Sequence, residues 1–199
     1  MLLITKPNTI NADMEIELSP LEGCVLLKPR VFTDDRGYFF ESYNQKTFNE
    51  LTGTHTLFVQ DNQSYSSKGT LRGLHLQKGE YAQAKLVRVV KGEVLDVAVD
   101  MRPGSPTYGQ HYSARLSEEN QHQLFVPRGF AHGFVVLADE TIFAYKCDNF
   151  YHKAAEGGLH YADPELNINW ILPANELITS EKDGILPYLA DIKEPFFKN

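Results

Sequence analysis

Three side chains able to transfer protons stand in segments that otherwise read as apolar β-strands. They are His75 in the segment 70–77, His132 in the segment 125–134 and Tyr145 in the segment 143–147. A polar group buried in an apolar strand costs free energy unless it has a partner. These side chains are therefore either hydrogen-bonded core groups or the lining of a cavity in which protons move.

The segment around His75 carries a cation as well. Side chains alternate along a strand, so Gly73 and His75 share one face while Arg72 points to the other. An imidazole titrates near neutral pH and suits proton abstraction, and a guanidinium suits a diphosphate. Arg72 can serve the same site as His75 only if a bulge, or the freedom of Gly73, redirects the strand.

Most of the chain reads as short alternating runs separated by turn residues, the pattern of a sandwich or barrel. The predicted strands are 23–28, 57–60, 70–77, 84–90, 93–100, 111–116, 123–127, 133–137 and 141–145, with a short helix at 45–51 and a helical turn at 117–120. The polar stretch 5–18 favours an extension outside the core. We therefore divide the chain into an N-terminal extension, 1–22, and a single domain, 23–199.

Composition narrows the class of protein. The chain has 199 residues and a formal net charge of −7, which disfavours a nucleic-acid or anionic-membrane partner. It contains no apolar run typical of a membrane span, and its first residues lack the pattern of a secretory signal. The two cysteines, Cys24 and Cys147, have neither metal-binding nor redox spacing. A cytoplasmic location fits that usage.

The strand pattern favours an all-β fold, a cupin-type double-stranded jelly roll with a few short helices. The chain resembles metal-binding cupins in its second motif, which reads Pro127, Gly129 and His132. In the first motif Gln77 stands where those cupins have a further histidine beside His75. Because three protein ligands are usual for a catalytic metal, we expect no metal and no other cofactor. Because the chain has the histidines but an incomplete set of metal ligands, acid–base chemistry is the expected role of these histidines.

Several ordered motifs carry a closer resemblance. They are 35–41 (DRGYFFE), 59–62 (VQDN), 71–75 (LRGLH), 85–89 (KLVRV), 127–134 (PRGFAHGF), 145–146 (YK), 163–164 (DP) and 180–183 (SEKD). Together they are similar to the dTDP-4-dehydrorhamnose 3,5-epimerase family. That family inverts carbons 3 and 5 of a dTDP-linked 4-keto-6-deoxy sugar, on the route to dTDP-L-rhamnose. Both carbons flank the ketone, so enolate formation acidifies both protons.

The resemblance implies a role for each matching residue. His75 would be the base, Asp163 its hydrogen-bonded carboxylate, Tyr145 the acid on the opposite face and Lys85 the cation beside O4. The implied substrate-binding residues are Arg36, Glu41, Gln60, Asn62, Arg72, Lys85, His132, Glu156 and Lys182. Family members are homodimers in which the segment from Arg36 to Glu41 reaches the partner's nucleotide. Phe150 or Tyr151 would stack on thymine.

Plainer interpretations remain open for single residues. Asp163 precedes Pro164 and also suits a turn, Lys85 suits a solvated strand face, and Arg36 beside two aspartates suits a surface ion pair. Two other functions also remain open. One is a related enzyme that epimerises only carbon 3 or isomerises the keto sugar, and the other is a non-catalytic nucleotide-sugar-binding cupin. The loop at Glu156 departs from the family pattern: Gly157 stands where an arginine is usual, and the stretch before Asp163 lacks the usual tryptophan.

Overall fold

The computed structural model describes residues 13–197, and its strands form two facing sheets and one hairpin. The strands are β1 (Met14–Leu18), β2 (Val25–Pro29), β3 (Phe32–Asp34), β4 (Gly37–Phe39), β5 (Gln60–Ser66), β6 (Leu71–Gln77), β7 (Lys85–Lys91), β8 (Glu93–Asp100), β9 (His111–Ser117), β10 (Gln123–Val126), β11 (Phe130–Val136), β12 (Thr141–Cys147) and β13 (Glu156–Gly158). An α-helix, α1, spans Gln45–Thr52. No helix within 13–197 is long and apolar enough to cross a membrane.

The two sheets are built from antiparallel pairs. One has the order β1-β2-β10-β7-β12-β5 and the other the order β13-β6-β11-β8-β9, while β3 and β4 form a separate hairpin. Strands that follow one another in sequence often lie in opposite sheets, as in a jelly roll. The predicted all-β, cupin-type jelly roll is therefore confirmed.

Strand β8 shows why the core sits where it does. Its even-numbered residues, among them Val94 and Ala98, face the space between the sheets. Its odd-numbered residues, among them Leu95 and Val97, join a second core under the C-terminal segment that holds Trp170. Both faces of β8 are buried, which explains why the strand reads as an almost continuous apolar run. A third core lies between the six-stranded sheet and α1.

Two predicted boundaries are wrong. Strand β1 pairs with β2, and Met14 and Leu21 are buried, so residues 14–22 belong to the domain and not to an extension. Residues 1–12 of the predicted extension lie outside the described residues. The strand predicted at 57–60 instead begins at Gln60 and continues to Ser66. Its sequence, QDNQSYS, is polar because one face borders a cavity and the other faces solvent, so an apolar pattern could not reveal it.

A bulge in β6 turns Arg72 toward the face of His75. Opposite β11, His75 pairs with His132 and Arg72 pairs with Phe134, so three steps on β6 match two on β11. Gly73 adopts a φ of 130°, and a Cβ there would lie 2.5 Å from the Cα of Gly133. Only glycine fits this backbone. The redirection that the sequence required of Gly73 is thus present.

Candidate active site

A cavity of about 460 Å³ opens between the two sheets and gathers half of the predicted site residues. Its lining includes Arg72, His75, Lys85, His132, Phe143, Tyr145, Lys182 and Asp183. An adjoining pocket of about 370 Å³ shares His75, Lys85, Tyr145 and Lys182, and adds Gln60, Asn62, Tyr151 and Glu156. Residues that are distant in sequence meet here because β5, β7 and β12 lie side by side and β6 and β11 face them.

The carboxylate partner of His75 is Asp183. Its Oδ1 lies 2.5 Å from Nε2 of His75, and its side chain is 4% exposed. Burial by itself raises the pKa of Asp183, but the hydrogen bond and charge of His75, with the amide of Gly73, outweigh it and leave the pKa below its usual value. Because Asp183 is ionised, the shared proton belongs to Nε2. The lone pair on Nδ1 is then available to take a proton.

The predicted pairing of His75 with Asp163 is wrong. One carboxylate oxygen of Asp163 accepts the backbone N–H groups of Glu165 and Leu166, at 2.8 and 3.2 Å. The other accepts the N–H of Leu189 at 2.5 Å. Through these bonds the buried carboxylate of Asp163 stabilises the turn that follows it and holds the C-terminal segment at Leu189. The plainer interpretation of Asp163 before Pro164, as a turn residue, fits this geometry.

Lys85 and Tyr145 lie on neighbouring strands and both border the cavity. Burial lowers the pKa of Lys85, although Cys147 and Asp96 act in the opposite direction. Among the described residues Lys85 has no carboxylate within ion-pair distance, so its ammonium is available to a ligand. Burial, followed by the influence of Cys147, raises the pKa of Tyr145 and keeps its phenol protonated.

His132 is at once a satisfied buried group and part of the cavity lining. Its Nε2 lies 2.9 and 3.0 Å from the two carboxylate oxygens of Asp96, which is fully buried on β8. Burial lowers the pKa of His132, and the neighbouring Asp96 opposes that effect. His132 is therefore both a hydrogen-bonded core group and a residue that lines the cavity, the two possibilities that the sequence left open.

Polar groups of the adjoining pocket are paired with each other. Lys182 donates to Glu156 at 2.6 Å, tying the C-terminal segment to β13. The amide of Gln60 donates to Asn62 at 3.1 Å on the same face of β5. The bond from Lys182 is the main reason that the pKa of Glu156 lies below its usual value. These groups form a prearranged polar wall.

Arg36 and Glu41 lie away from this cavity. Arg36 sits in the turn between β3 and β4, its side chain is 89% exposed, and its guanidinium pairs with Asp34 at 2.5 Å. Glu41 follows β4 and accepts a hydrogen bond from Asn44 at 3.2 Å. The chain's own fold does not bring either residue to His75.

The sequence analysis missed two carboxylates that are hydrogen-bonded to the histidines of the cavity. Asp183 lies within the motif 180–183, but the motif by itself does not distinguish it from Asp163 as the partner of His75. Asp96 is a charged residue inside the apolar run of β8, and that contrast is a signal that could have revealed it. Ser66, whose Oγ accepts a hydrogen bond from Arg72 at 3.2 Å, was also missed.

The donor set around Gln77 differs from that of a metal-binding cupin. Gln77 is buried and its side-chain carbonyl accepts the N–H of His152 at 2.9 Å. Within residues 13–197 no group of three or more His, Cys, Asp or Glu side chains is placed to hold a metal.

Comparison with known proteins identifies the family. The family model described as dTDP-4-dehydrorhamnose 3,5-epimerase matches residues 18–191. The chain belongs to this family. The epimerase of that name from Shigella flexneri is 51% identical over 170 residues, which cover 85% of this chain and 93% of that protein. Membership makes the chain one of a family of isomerases that act on dTDP-sugars.

Solved structures of family members share the whole fold. The epimerase from Elizabethkingia anophelis NUHP1 is 53% identical, with a TM-score of 0.87 over 92% of this chain and all of that one. A Legionella pneumophila family member, crystallised in complex with dTDP-4-keto-L-rhamnose, is 46% identical, with a TM-score of 0.86 over 90% of this chain and 94% of that one. The sequence resemblance that suggested this family is thereby confirmed.

Proposed function

We propose that this protein is a dTDP-4-dehydrorhamnose 3,5-epimerase, which converts dTDP-4-dehydro-6-deoxy-D-glucose to dTDP-4-dehydro-L-rhamnose. The observation that carries the proposal is a single cavity lined by a histidine–aspartate pair, a half-buried protonated tyrosine and a half-buried lysine with no carboxylate partner among residues 13–197. A binding module has no need of an acid–base pair. The relatives at about half identity carry the same name.

The proposed chemistry needs a base, an acid and an electrophile. Nδ1 of His75 takes the proton from carbon 3 or 5, and the C–H electrons pass into the ketone to give an enolate. Lys85 holds its ammonium beside O4 and stabilises the oxyanion. Tyr145 then protonates the same carbon from the opposite face, which inverts it. Solvent returns a proton to the phenolate and removes one from His75.

Asp183 replaces Asp163 in this mechanism. Its ionised carboxylate fixes the tautomer of His75 and stabilises the imidazolium that forms when the base is protonated. Since Asp183 comes from the C-terminal segment and His75 from β6, the base is assembled only when that segment is docked.

The nucleotide end uses the cations and aromatic rings around the cavity. Arg72 offers a guanidinium fork to the diphosphate, and Lys182 offers an ammonium once it releases Glu156. Gln60, Asn62 and His132 supply further polar contacts. Tyr151 and Phe150 are 52% and 65% exposed, and Tyr151 borders the adjoining pocket, so either ring is available to stack on thymine.

We further propose that two copies assemble so that Arg36 and Glu41 reach the partner's nucleotide. The hairpin that carries Arg36 also carries Phe32, Tyr38 and Phe39, and Phe39 is 71% exposed. Exposed aromatic clusters of this kind are typical of interaction surfaces. A cytoplasmic location is also proposed, since both Cys24 and Cys147 remain thiols.

Proton NMR in deuterated buffer tests the activity directly. With dTDP-4-keto-6-deoxyglucose as substrate, we expect solvent deuterium at both C3 and C5 without any added cofactor. The rate should be unchanged after treatment with a chelator. Exchange at C3 alone would reassign the protein as a 3-epimerase, and a chelator-sensitive rate restored by a metal would overturn the metal-free mechanism.

A further inference from the structure

Strand β5 presents a row of polar side chains to the cavity side of its sheet. Gln60, Asn62, Ser64 and Ser66 point inward, whereas the alternating residues between them are exposed. Among the described strands, β5 is an edge strand of the six-stranded sheet and pairs with β12 alone. The inward row therefore forms one wall of the space in which the substrate is proposed to bind.

Three members of the row already have hydrogen-bond partners. Gln60 donates to Asn62, and the amide of Asn62 lies 3.7 Å from the sulfur of Cys147. Ser66 accepts from Arg72. The remaining member, Ser64, has a buried Oγ with no hydrogen-bond partner among the residues that the structure describes. A buried hydroxyl without a partner is unfavourable, and such groups in folded proteins call for an explanation.

Ser64 also borders the main cavity. A serine hydroxyl moves between staggered rotamers and can both donate and accept. Because no protein hydrogen bond holds this hydroxyl, rotation of the side chain toward the cavity breaks none. A polar atom of a bound ligand would supply the bond that the protein lacks.

The register of β5 and β12 gives the position of Ser64 along the cavity. Ser64 lies opposite Phe143, one inward position from Asn62, which lies opposite Tyr145. The next inward position in the other direction is Ser66, the partner of Arg72. Ser64 therefore lies between the proposed acid and the proposed diphosphate ligand. In a nucleotide sugar, the hexose is the part that spans this interval.

We propose that Oγ of Ser64 hydrogen-bonds an oxygen of the hexose and so positions the sugar between His75 and Tyr145. This inference rests on the proposed function and adds to it a sugar-binding residue on the edge strand. Turnover by the wild-type protein tests the function first. The Ser64 variant then tests this residue by itself.

The variant Ser64→Ala removes the hydroxyl with little change in volume. We expect kcat/KM for the keto sugar to fall about three- to tenfold, the effect of one neutral hydrogen bond. The inhibition constant of dTDP, which lacks the hexose, should stay within about twofold by the same reasoning. The melting temperature of the unliganded variant should be equal to or above that of the wild type, because the hydroxyl makes no bond there.

Ser67→Ala is the matched control, since Ser67 is exposed, lies three residues further on and does not border the cavity. It should leave kcat/KM unchanged. A wild-type protein that turns over, with Ser64→Ala kinetics also unchanged, would overturn the inference and leave the proposed function standing. Equal losses for the keto sugar and for dTDP would place Ser64 at the nucleotide and reject the hexose contact. A lowered melting temperature in Ser64→Ala would show that the hydroxyl serves the fold.

Discussion

At the residue scale, two aspartates of similar burial have different hydrogen-bond partners and therefore different roles. The carboxylate of Asp183 is hydrogen-bonded to a histidine side chain, whereas both oxygens of Asp163 accept hydrogen bonds from backbone N–H groups. Loss of the charge at Asp183 would leave the ring of His75 without its orienting anion. Asparagine at position 163 would keep one acceptor oxygen but would place an NH₂ group against the backbone donors at the other. The two substitutions should therefore have separable effects.

The first prediction compares Asp183→Asn with Asp163→Asn. We expect Asp183→Asn to lower kcat/KM by about 10²- to 10⁴-fold with little loss of stability, because the imidazolium loses its stabilising charge. Asp163→Asn should instead lower the free energy of unfolding by about 1–3 kcal/mol, the effect of leaving a buried backbone donor unsatisfied at the NH₂ side of the amide. Deuterium wash-in and urea unfolding measure the two quantities. The opposite pattern would restore Asp163 as the partner of the base.

The second prediction separates the acid from the base. Tyr145→Phe removes the phenol and keeps the aromatic volume, so the core should remain packed. His75 can still remove a proton and Lys85 can still stabilise the enolate, but the enolate should mostly recover its proton on the original face. Deuterium wash-in at one carbon or both should therefore persist while net inversion falls by a larger factor. Equal losses, measured by NMR in one sample, would assign Tyr145 to abstraction or binding.

At the element scale, the end of β8 and the loop after it are held by a single carboxylate. Asp100 is fully buried and accepts hydrogen bonds from Arg102, Ser105 and Thr107. Burial by itself raises the pKa of Asp100, but these hydrogen bonds outweigh it and lower the pKa from 3.8 to about 2. The network closes the turn that returns the chain to β9.

The third prediction is the pH dependence that this network imposes. Because the folded pKa is depressed, the stabilisation is complete above the unfolded value near 4 and is lost as the pH falls toward 2; it amounts to about 2 kcal/mol. Asp100→Asn lacks this contribution. The difference in free energy of unfolding between wild type and Asp100→Asn should therefore shrink by about that amount between pH 5 and pH 2. Denaturant titrations at each pH measure it, and a constant difference would contradict the network's role.

At the scale of the whole molecule, we propose that each site is shared between two copies of the chain. Arg36 lies on an exposed hairpin, whereas His75 lies in the cavity between the sheets. If Arg36 serves the partner's site, each site needs one residue from each chain. Two different inactive variants could then restore one complete site when they are mixed.

The fourth prediction is this complementation. Arg36→Ala and His75→Ala should each be strongly impaired as pure proteins. When equal amounts are unfolded and refolded together, random pairing should make about a quarter of all sites native, and activity should recover to about that fraction. Refolding each variant alone and then mixing is the control for recovery by refolding itself. No recovery in mixtures shown to contain the heterodimer would place Arg36 in its own chain's site or outside the site.

The sequence by itself determined the class of fold and most of the residues around the cavity. The apolar pattern predicted β8 and β9 to within one residue of their observed bounds, because both faces of β8 and one face of β9 pack against the core. It also demanded a redirected backbone at Gly73. It failed at β5, whose polar face lines a cavity, and at β1, whose short alternating pattern resembles a loop. A pattern of apolar residues reveals a strand only where one of its faces is buried, and these two strands are only partly buried.

Only the tertiary structure decided which carboxylate serves His75. Asp163 and Asp183 both lie in the C-terminal part of the chain, and both occur in motifs that resemble the family. Which of them meets the imidazole of His75 depends on how the C-terminal segment docks against β6, through long-range bonds such as that from the N–H of Leu71 to the carbonyl of Ile178. The sequence also could not predict that the hydroxyl of Ser64 lacks a hydrogen-bond partner among the described residues. A hydrogen bond depends on how close two groups lie in space. Their separation in sequence predicts it only where both groups belong to the same turn, helix or hairpin.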